Sequence, residues 1–308
     1  MNGKGIVLVI LALLLGGPAQ AQFRVVGYLP AWRGEVQASQ LAQLTHVNYA
    51  FLLPTATGGL QPLENPAKLR RLVAAAHAAR VRVLISVGGW HDGDHSAFDA
   101  IGADAAATQA FVKNLLGFVA TYQLDGVDMD WEHPDARTAP GYAALMQQLA
   151  TQLHRRGKLL TAAVAGGTWA GPGILPSVYE SVDFLNIMAY DAPPPAHATY
   201  ASAVQTLAYW QARGLPVGKT VLGLPFYGQP SQESFSALLA RGASPSADSV
   251  GAVGYNGLAT IRQKTALALA QASGVMIWEL TQDAAGTNSL LAAIGQVLAQ
   301  RAAPAPAR

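Results

Sequence analysis

The chain has 308 residues, 51% of them hydrophobic and only 12% charged, with a formal net charge of +2. Such a composition supports one large buried core, and α/β barrels often reach this length as a single domain. The near-neutral balance, with no run of Lys or Arg, argues against nucleic acid as a partner, and the absence of cysteine excludes disulfides and thiolate metal sites.

At the start, Lys4 precedes an apolar run from Ile6 to Leu15, followed by Gly16, Gly17 and Pro18 and then by Ala19-Gln20-Ala21. A basic start, a short apolar stretch and a small-x-small site predict an export signal cleaved after Ala21. The run is shorter than the ~20 residues a membrane span needs. The expected protein is therefore exported, secreted or periplasmic, with residues 1–21 removed. Residues 22–301 form the folded domain, and the Ala/Pro-rich residues 302–308 are a disordered tail.

Short β-rich runs follow at 24–29, 45–51, 81–87, 124–131, 159–165, 182–190, 220–227 and 274–279. Most are nearly continuous apolar stretches, as parallel strands buried on both faces should be. Helical patterns occupy 67–79, 105–122, 141–156, 201–213, 260–272 and 288–300. Eight strands, each followed by a helix or turn, predict the α/β class and a single closed (β/α)8 TIM barrel. An open doubly wound sheet would usually carry a glycine-rich phosphate turn after its first strand, and Gly27-Tyr28-Leu29-Pro30 is not one. The long featureless connection is the Ser/Ala/Gly stretch 231–254, between strands seven and eight.

In such a barrel, chemistry sits where strands end and the following loops begin. The fourth strand delivers Leu124-Asp125-Gly126-Val127-Asp128-Met129-Asp130-Trp131-Glu132-His133-Pro134. Alternation puts Asp128, Asp130 and Glu132 on one face, each ~6.6 Å beyond the last. Val127, Met129 and Trp131 take the opposite, helix-facing side. A purely structural role fits poorly, because a buried unpaired carboxylate costs several kcal/mol and no Lys or Arg neighbours these in sequence. Crowded carboxyls instead share protons, and the shared charge raises at least one pKa, as general acid catalysis near neutral pH requires. Glu132, the outermost, is the expected acid.

Asp-x-x-Asp-x-Asp-x-Glu at the end of strand four resembles the signature of family 18 glycoside hydrolases, the chitinase family. Strand one, Gly27-Tyr28-Leu29-Pro30-Ala31-Trp32, is similar to the family's opening motif, and Ser86-Val87-Gly88-Gly89-Trp90 resembles its Ser-x-Gly-Gly motif. Met188-Ala189-Tyr190-Asp191 resembles Met-x-Tyr-Asp, and Gly274-Val275-Met276-Ile277-Trp278-Glu279 matches the stretch with the floor tryptophan. The resemblance covers nearly the whole mature chain. It implies hydrolysis of N-acetylglucosamine glycans with retention, the substrate's own acetamido oxygen acting as nucleophile. It also implies roles. Glu132 protonates the leaving oxygen, Asp130 holds the acetamido N–H, Asp128 shares a proton with Asp130, and Tyr190 holds the acetamido carbonyl. Trp278 forms the floor, and Tyr28, Trp90, Met188, Asp191 and Ser86 bind or support substrate, with Ser86 facing Asp128. Neither a cofactor nor a metal is implied, and the chain is expected as a monomer. Trp131 before Glu132 is more typical of the chitinase branch than of relatives acting on peptidoglycan or N-glycan cores. Non-catalytic lectins on this scaffold usually lose the glutamate that is present here.

Other residues carry weaker signals. Asp125 has the opposite parity and is expected to fix local structure, and Asp191 is the one conventional nucleophile available from another strand. The loop His91-Asp92-Gly93-Asp94-His95 has metal-ligand residue types but reads as a solvated loop. His133 is expected to face away from the acids and pack at the rim. Trp32 and Trp90 could stack on sugar rings or pack at the rim. Trp169 and Trp210 read as burial, and Glu279 has no assigned role. About fifty residues separate Tyr227 from Val275, too few for the α+β insertion that deepens the cleft of processive family members, so an open groove is expected.

Overall fold

The computed structural model describes residues 22–167, 171–193 and 196–302. The expected leader, Trp169 and residues 303–308 lie outside the described residues. Eight parallel strands close into a barrel: β1 (Arg24–Pro30), β2 (His46–Leu52), β3 (Arg82–Gly89), β4 (Gly126–Trp131), β5 (Leu159–Ala165), β6 (Phe184–Met188), β7 (Thr220–Pro225) and β8 (Gly274–Trp278). Each strand pairs with its sequence neighbour, and β8 closes onto β1 with Gly274 beside Arg24. This is the (β/α)8 barrel expected from the alternation of elements.

The helices are α1 (Ala38–Leu41), α2 (Pro66–Ala78), α3 (Ser96–Ala103), α4 (Ala105–Tyr122), α5 (Ala139–His154), α6 (Pro176–Ser181), α7 (Tyr200–Ala212), α8 (Phe235–Ala240), α9 (Leu258–Gln271) and α10 (Leu290–Ala302). All six helices read from the sequence are present, each within two residues of its expected ends. Their starts have chemical causes. Asp104 accepts the Ala107 amide at 2.7 Å to cap α4, and Thr199 caps α7 through the Ser202 amide at 3.0 Å. The helices not anticipated are α1, α3, α6 and α8, which have too few turns to display a 3.6-residue period. The stretch 231–254 holds α8 and a hairpin of Ser249–Val250 with Val253–Gly254. Between β7 and β8 the chain thus adds only these and α9, with no separate α+β domain.

Alternation along the strands divides the interior into two cores. Outside the sheet, Val127, Met129 and Trp131 are buried against helices; Trp131 stacks on Phe98 with centroids 5.1 Å apart and meets Tyr142 edge-on. Inside the barrel, Val26, Tyr28, Phe184, Val221 and Met276 pack together, with Phe51, Met188, Tyr190 and Trp278 above them.

Strand register places the polar groups. Ser86 on β3, Asp128 on β4 and Thr161 on β5 are register partners, and Gly88 lies beside Asp130. Gly88 has φ +112°, and a Cβ there would sit 2.3 Å from the Asp130 carbonyl oxygen. Only glycine lets β3 run this close to the strand that carries the acids. Of the strand bounds that differ from expectation, two bear on the site: β4 starts at Gly126, leaving Asp125 below it, and β6 ends at Met188, so Tyr190 and Asp191 belong to the loop.

Candidate active site

The three acids of β4 climb the lumen as alternation requires, and their surroundings change at each step. Asp128 is fully buried. Its Oδ2 accepts the hydroxyls of Tyr28 at 2.6 Å and Ser86 at 2.8 Å; its Oδ1 accepts from Thr161 at 2.5 Å and from the Asn186 amide at 3.1 Å. Burial pushes its pKa up, the four donors pull against it, and burial wins. Asp130 is also buried, with an Oδ1 that has no hydrogen-bond partner among the described residues. Burial, then the Glu132 charge, then the Asp128 charge hold its carboxyl well above the usual range. Glu132 stands last, at the cavity wall, with its side chain 14% exposed.

The oxygens of Asp128 are occupied by these four donors, and the charge of Glu132 bears on Asp130 more strongly than that of Asp128. Register supplies these surroundings: Ser86 and Thr161 flank Asp128 on both sides, and Gly88 offers Asp130 no side chain.

Above the acids lies a cavity of about 940 Å³. Its floor is Trp278, stacked on Phe51 with centroids 5.7 Å apart and meeting Tyr28 edge-on at 5.6 Å. Met188, at the end of β6, and Tyr190, in the loop after it, also line it. The Tyr190 hydroxyl lies 3.9 Å from the Met276 sulfur, and burial followed by the nearby Glu132 and Asp130 charges pushes the phenol pKa up. Tyr28 lines the cavity but spends its hydroxyl on Asp128, so it supports the acids from beneath. Trp32 and Trp90 stand at the rim, 50% and 59% exposed, and both line the cavity.

Asp191 follows Tyr190 with φ +62°. Its Oδ1 accepts from the Tyr227 hydroxyl at 2.6 Å and the Gln229 amide at 2.8 Å. Every site residue expected from sequence, except Ser86 and Asp128, lines this cavity; those two lie directly below it.

His133 departs from expectation. It does not face away from the acids: its Nε2 lies 3.3 Å from Glu132 Oε2. Alternation stops with β4 at Trp131, so strand parity no longer governs residue 133.

In the 91–95 loop, the Ser96 hydroxyl first and its amide second hold the Asp94 carboxyl below the usual range, and His95 pairs with Asp99 at 3.0 Å. Among the described residues no group of three metal-capable side chains forms. Glu279 is buried away from the cavity, taking the Thr281 amide and hydroxyl and lying 3.6 Å from Arg33. Trp210 is fully buried, its indole donating to the Ala165 carbonyl.

Sequence reading missed Thr161, Asn186, Phe51, Tyr227 and Gln229. Asn186 had a signal, since it shares the parity of Met188 and Tyr190 and is a lone amide in an apolar strand. Phe51 could have been found as the large ring that ends strand two.

A family model described as glycosyl hydrolases family 18 matches residues 24–283. Among solved structures, a GH18 chitinase from the chitin utilization locus of Flavobacterium johnsoniae superposes with a TM-score of 0.80 at 28% identity, covering 92% of this chain and 96% of that one. A chitinase from Bacteroides thetaiotaomicron gives 0.82 at 25% identity, with 94% and 100% covered. Chitotriosidase-1 of Mus musculus is 32% identical over 186 residues, 49% of this chain and 39% of that protein. Chitinase B of Serratia marcescens is 27% identical over 264 residues, 63% of this chain and 52% of that protein. The chain thus spans about half the length, or less, of these two curated relatives.

Proposed function

This chain belongs to glycosyl hydrolase family 18, and from that membership we propose that it cleaves β-1,4 linkages in N-acetylglucosamine glycans, chitin or chito-oligosaccharides, with retention. The observation that carries the reading is the rise of three carboxyls, Asp128 and Asp130 on β4 and Glu132 one residue past its end, beside a tryptophan floor. Most glycosidases set two carboxyls on either side of the scissile bond. Asp128, Asp130 and Glu132 occupy one side only, so the nucleophile comes from the substrate.

Glu132 protonates the glycosidic oxygen as the 2-acetamido oxygen attacks the anomeric carbon, and the leaving sugar departs from an oxazolinium ion. Glu132, now a carboxylate, takes a proton from water, which opens the ring from the vacated face and returns the original configuration. Asp130 holds the acetamido N–H and offsets the positive ring. The Tyr190 hydroxyl steadies the acetamido carbonyl, and Trp278 packs under the sugar. Asp128, gripped by its four donors, keeps the lumen beneath Asp130 rigid. Trp32 and Trp90 offer exposed ring faces to further sugars.

The charge of the cavity favours neutral glycans over peptidoglycan. Glu64, Asp130, Glu132 and Asp191 line it, and among the described residues no Lys or Arg does. A glycan bearing lactyl or peptide carboxylates would meet like charge without a counter-ion. The export signal read at residues 1–21 suits an enzyme acting on such a polymer outside the cytoplasm.

The test is product analysis on three substrates: N-acetylglucosamine oligomers, their fully de-N-acetylated counterparts, and peptidoglycan. Cleavage should be confined to the acetylated oligomers, because an intramolecular nucleophile contributes an effective molarity on the order of 10⁵ M or more. Equal rates on the de-N-acetylated oligomers would remove the assisted mechanism, and preferred cleavage of peptidoglycan would overturn the substrate.

A further inference from the structure

Lys68, in the first turn of α2, is buried, and among the described residues no carboxylate pairs with it. A buried ammonium is costly unless its N–H donors find acceptors. Here the acceptors are backbone carbonyls of the turn that follows β1: Pro30 at 2.6 Å, Arg33 at 2.7 Å and Ala31 at 3.4 Å. Asn65, just before α2, donates its side-chain amide to the Ala31 carbonyl at 2.8 Å from a left-handed backbone, φ +51°. A surface turn can leave its carbonyls to water. This one folds them inward onto a single nitrogen. The residue in the middle of the turn is Trp32, whose ring is half exposed and lines the cavity. Inward, that ring lies against Phe51 with centroids 6.0 Å apart, and Phe51 stacks on Trp278 at 5.7 Å. The three rings form one row from floor to rim, with the outermost held from behind by Lys68.

We propose that Lys68 is a positioning residue for Trp32, fixing its ring as a platform for a sugar beyond the one on the floor, and that it thereby sets the preference for longer chains. The inference rests on the reading of this chain as a hydrolase of N-acetylglucosamine glycans. An aromatic ring binds the apolar face of a sugar through contact area, and ordering a loop to present that ring subtracts from affinity. With its carbonyls fixed on Lys68, the turn is ordered before substrate arrives. Lys68 itself does not line the cavity. Its influence therefore reaches only chains long enough to lie on Trp32.

The test is kcat/KM on two substrates, the N-acetylglucosamine hexamer and an aryl glycoside of the dimer, which places at most one sugar beyond the floor. Trp32→Ala should lower the hexamer-to-dimer ratio by about two- to tenfold, the scale of one aromatic contact. Lys68→Met keeps the stem and removes the donors, and it should lower the ratio by a comparable factor, chiefly through KM for the hexamer. Added to Trp32→Ala, it should lower the ratio no further, as two residues acting through one contact require. Asn65→Gly keeps the left-handed backbone and removes one donor. It should lower the ratio by less, and it decides the question alone should Lys68→Met misfold. Loss of both activities by one factor in Lys68→Met, or an unmoved ratio in Asn65→Gly and in whichever lysine variant folds, would overturn the proposal and leave the clamp as packing. An unmoved ratio in Trp32→Ala would overturn it too, since Lys68 would then have no platform to position. A wild type that cleaves neither substrate would instead remove the reading of the site beneath it.

Discussion

Asp125 and Asp128 stand three residues apart at one strand, yet the barrel treats them in opposite ways. At the lower end, Asp125 Oδ2 accepts the Val83 amide and His77 Nε2, each at 2.8 Å, while its own amide donates to the Val83 carbonyl. The same clamp recurs two strands on. Asp183 Oδ2 takes the Leu160 amide at 2.8 Å and His154 Nε2 at 3.1 Å, and its amide donates to the Leu160 carbonyl. In both, a histidine from the last turn of a helix, α2 or α5, reaches a partly exposed carboxylate just below a strand. At the upper end, Asp128 and Asp130 are buried, and among the described residues no cation pairs with them. Carboxylates below join helix to strand at little desolvation cost. Those above keep a costly arrangement that stability alone would not select.

The largest effect that would break this contrast is on turnover. Glu132→Gln keeps the shape of the side chain and removes its proton, so kcat should fall by about 10²–10⁴-fold, the usual scale for general acid–base catalysis. Its melting temperature should stay near that of the wild type. Substantial hydrolysis by the folded variant would take the acid role away from Glu132.

The lower clamp sharpens the contrast from the other side. Asp125→Ala leaves the Val83 amide and His77 without their acceptor, at a cost of about 1–2 kcal/mol in stability. Thermal unfolding should register that loss while kcat/KM stays unchanged. A variant as stable as the wild type, or one that loses turnover, would show that the two ends are not divided in this way.

Much of the upper site was legible because strand alternation is strict and β4 carries three acids in its rhythm. Asp125 could also be set apart by parity alone. The contacts that tune the acids were not legible, because they join distant segments. Asn186 reaches Asp128 across 58 residues, and Tyr227 reaches Asp191 across 36. No local pattern encodes such pairings; only barrel register does. The placement of His133 was hidden for a related cause: parity carries no information two residues beyond the point where hydrogen bonding ends the strand. The lack of an inserted domain between β7 and β8 was readable because it depends on length rather than on contact.

Asp130 gives the most direct measurement of the central claim, that the upper carboxyls are held against stability for the sake of chemistry. Its pKa in the folded chain is raised from an ordinary value of 3.8 by burial first and by Glu132 next. A carboxyl of this kind leaves stability intact below the unfolded pKa and erodes it as the pH rises from there toward the folded value. In Asp130→Asn the amide cannot ionise and keeps the size of the side chain. The melting temperature of this variant should therefore match the wild type near pH 3 and exceed it by a few °C at pH 7, about 2–4 °C for each kcal/mol in a domain of somewhat smaller size. Turnover should be largely lost in the same sample. A variant less stable than the wild type at pH 7, or one equally stable and fully active, would contradict the account.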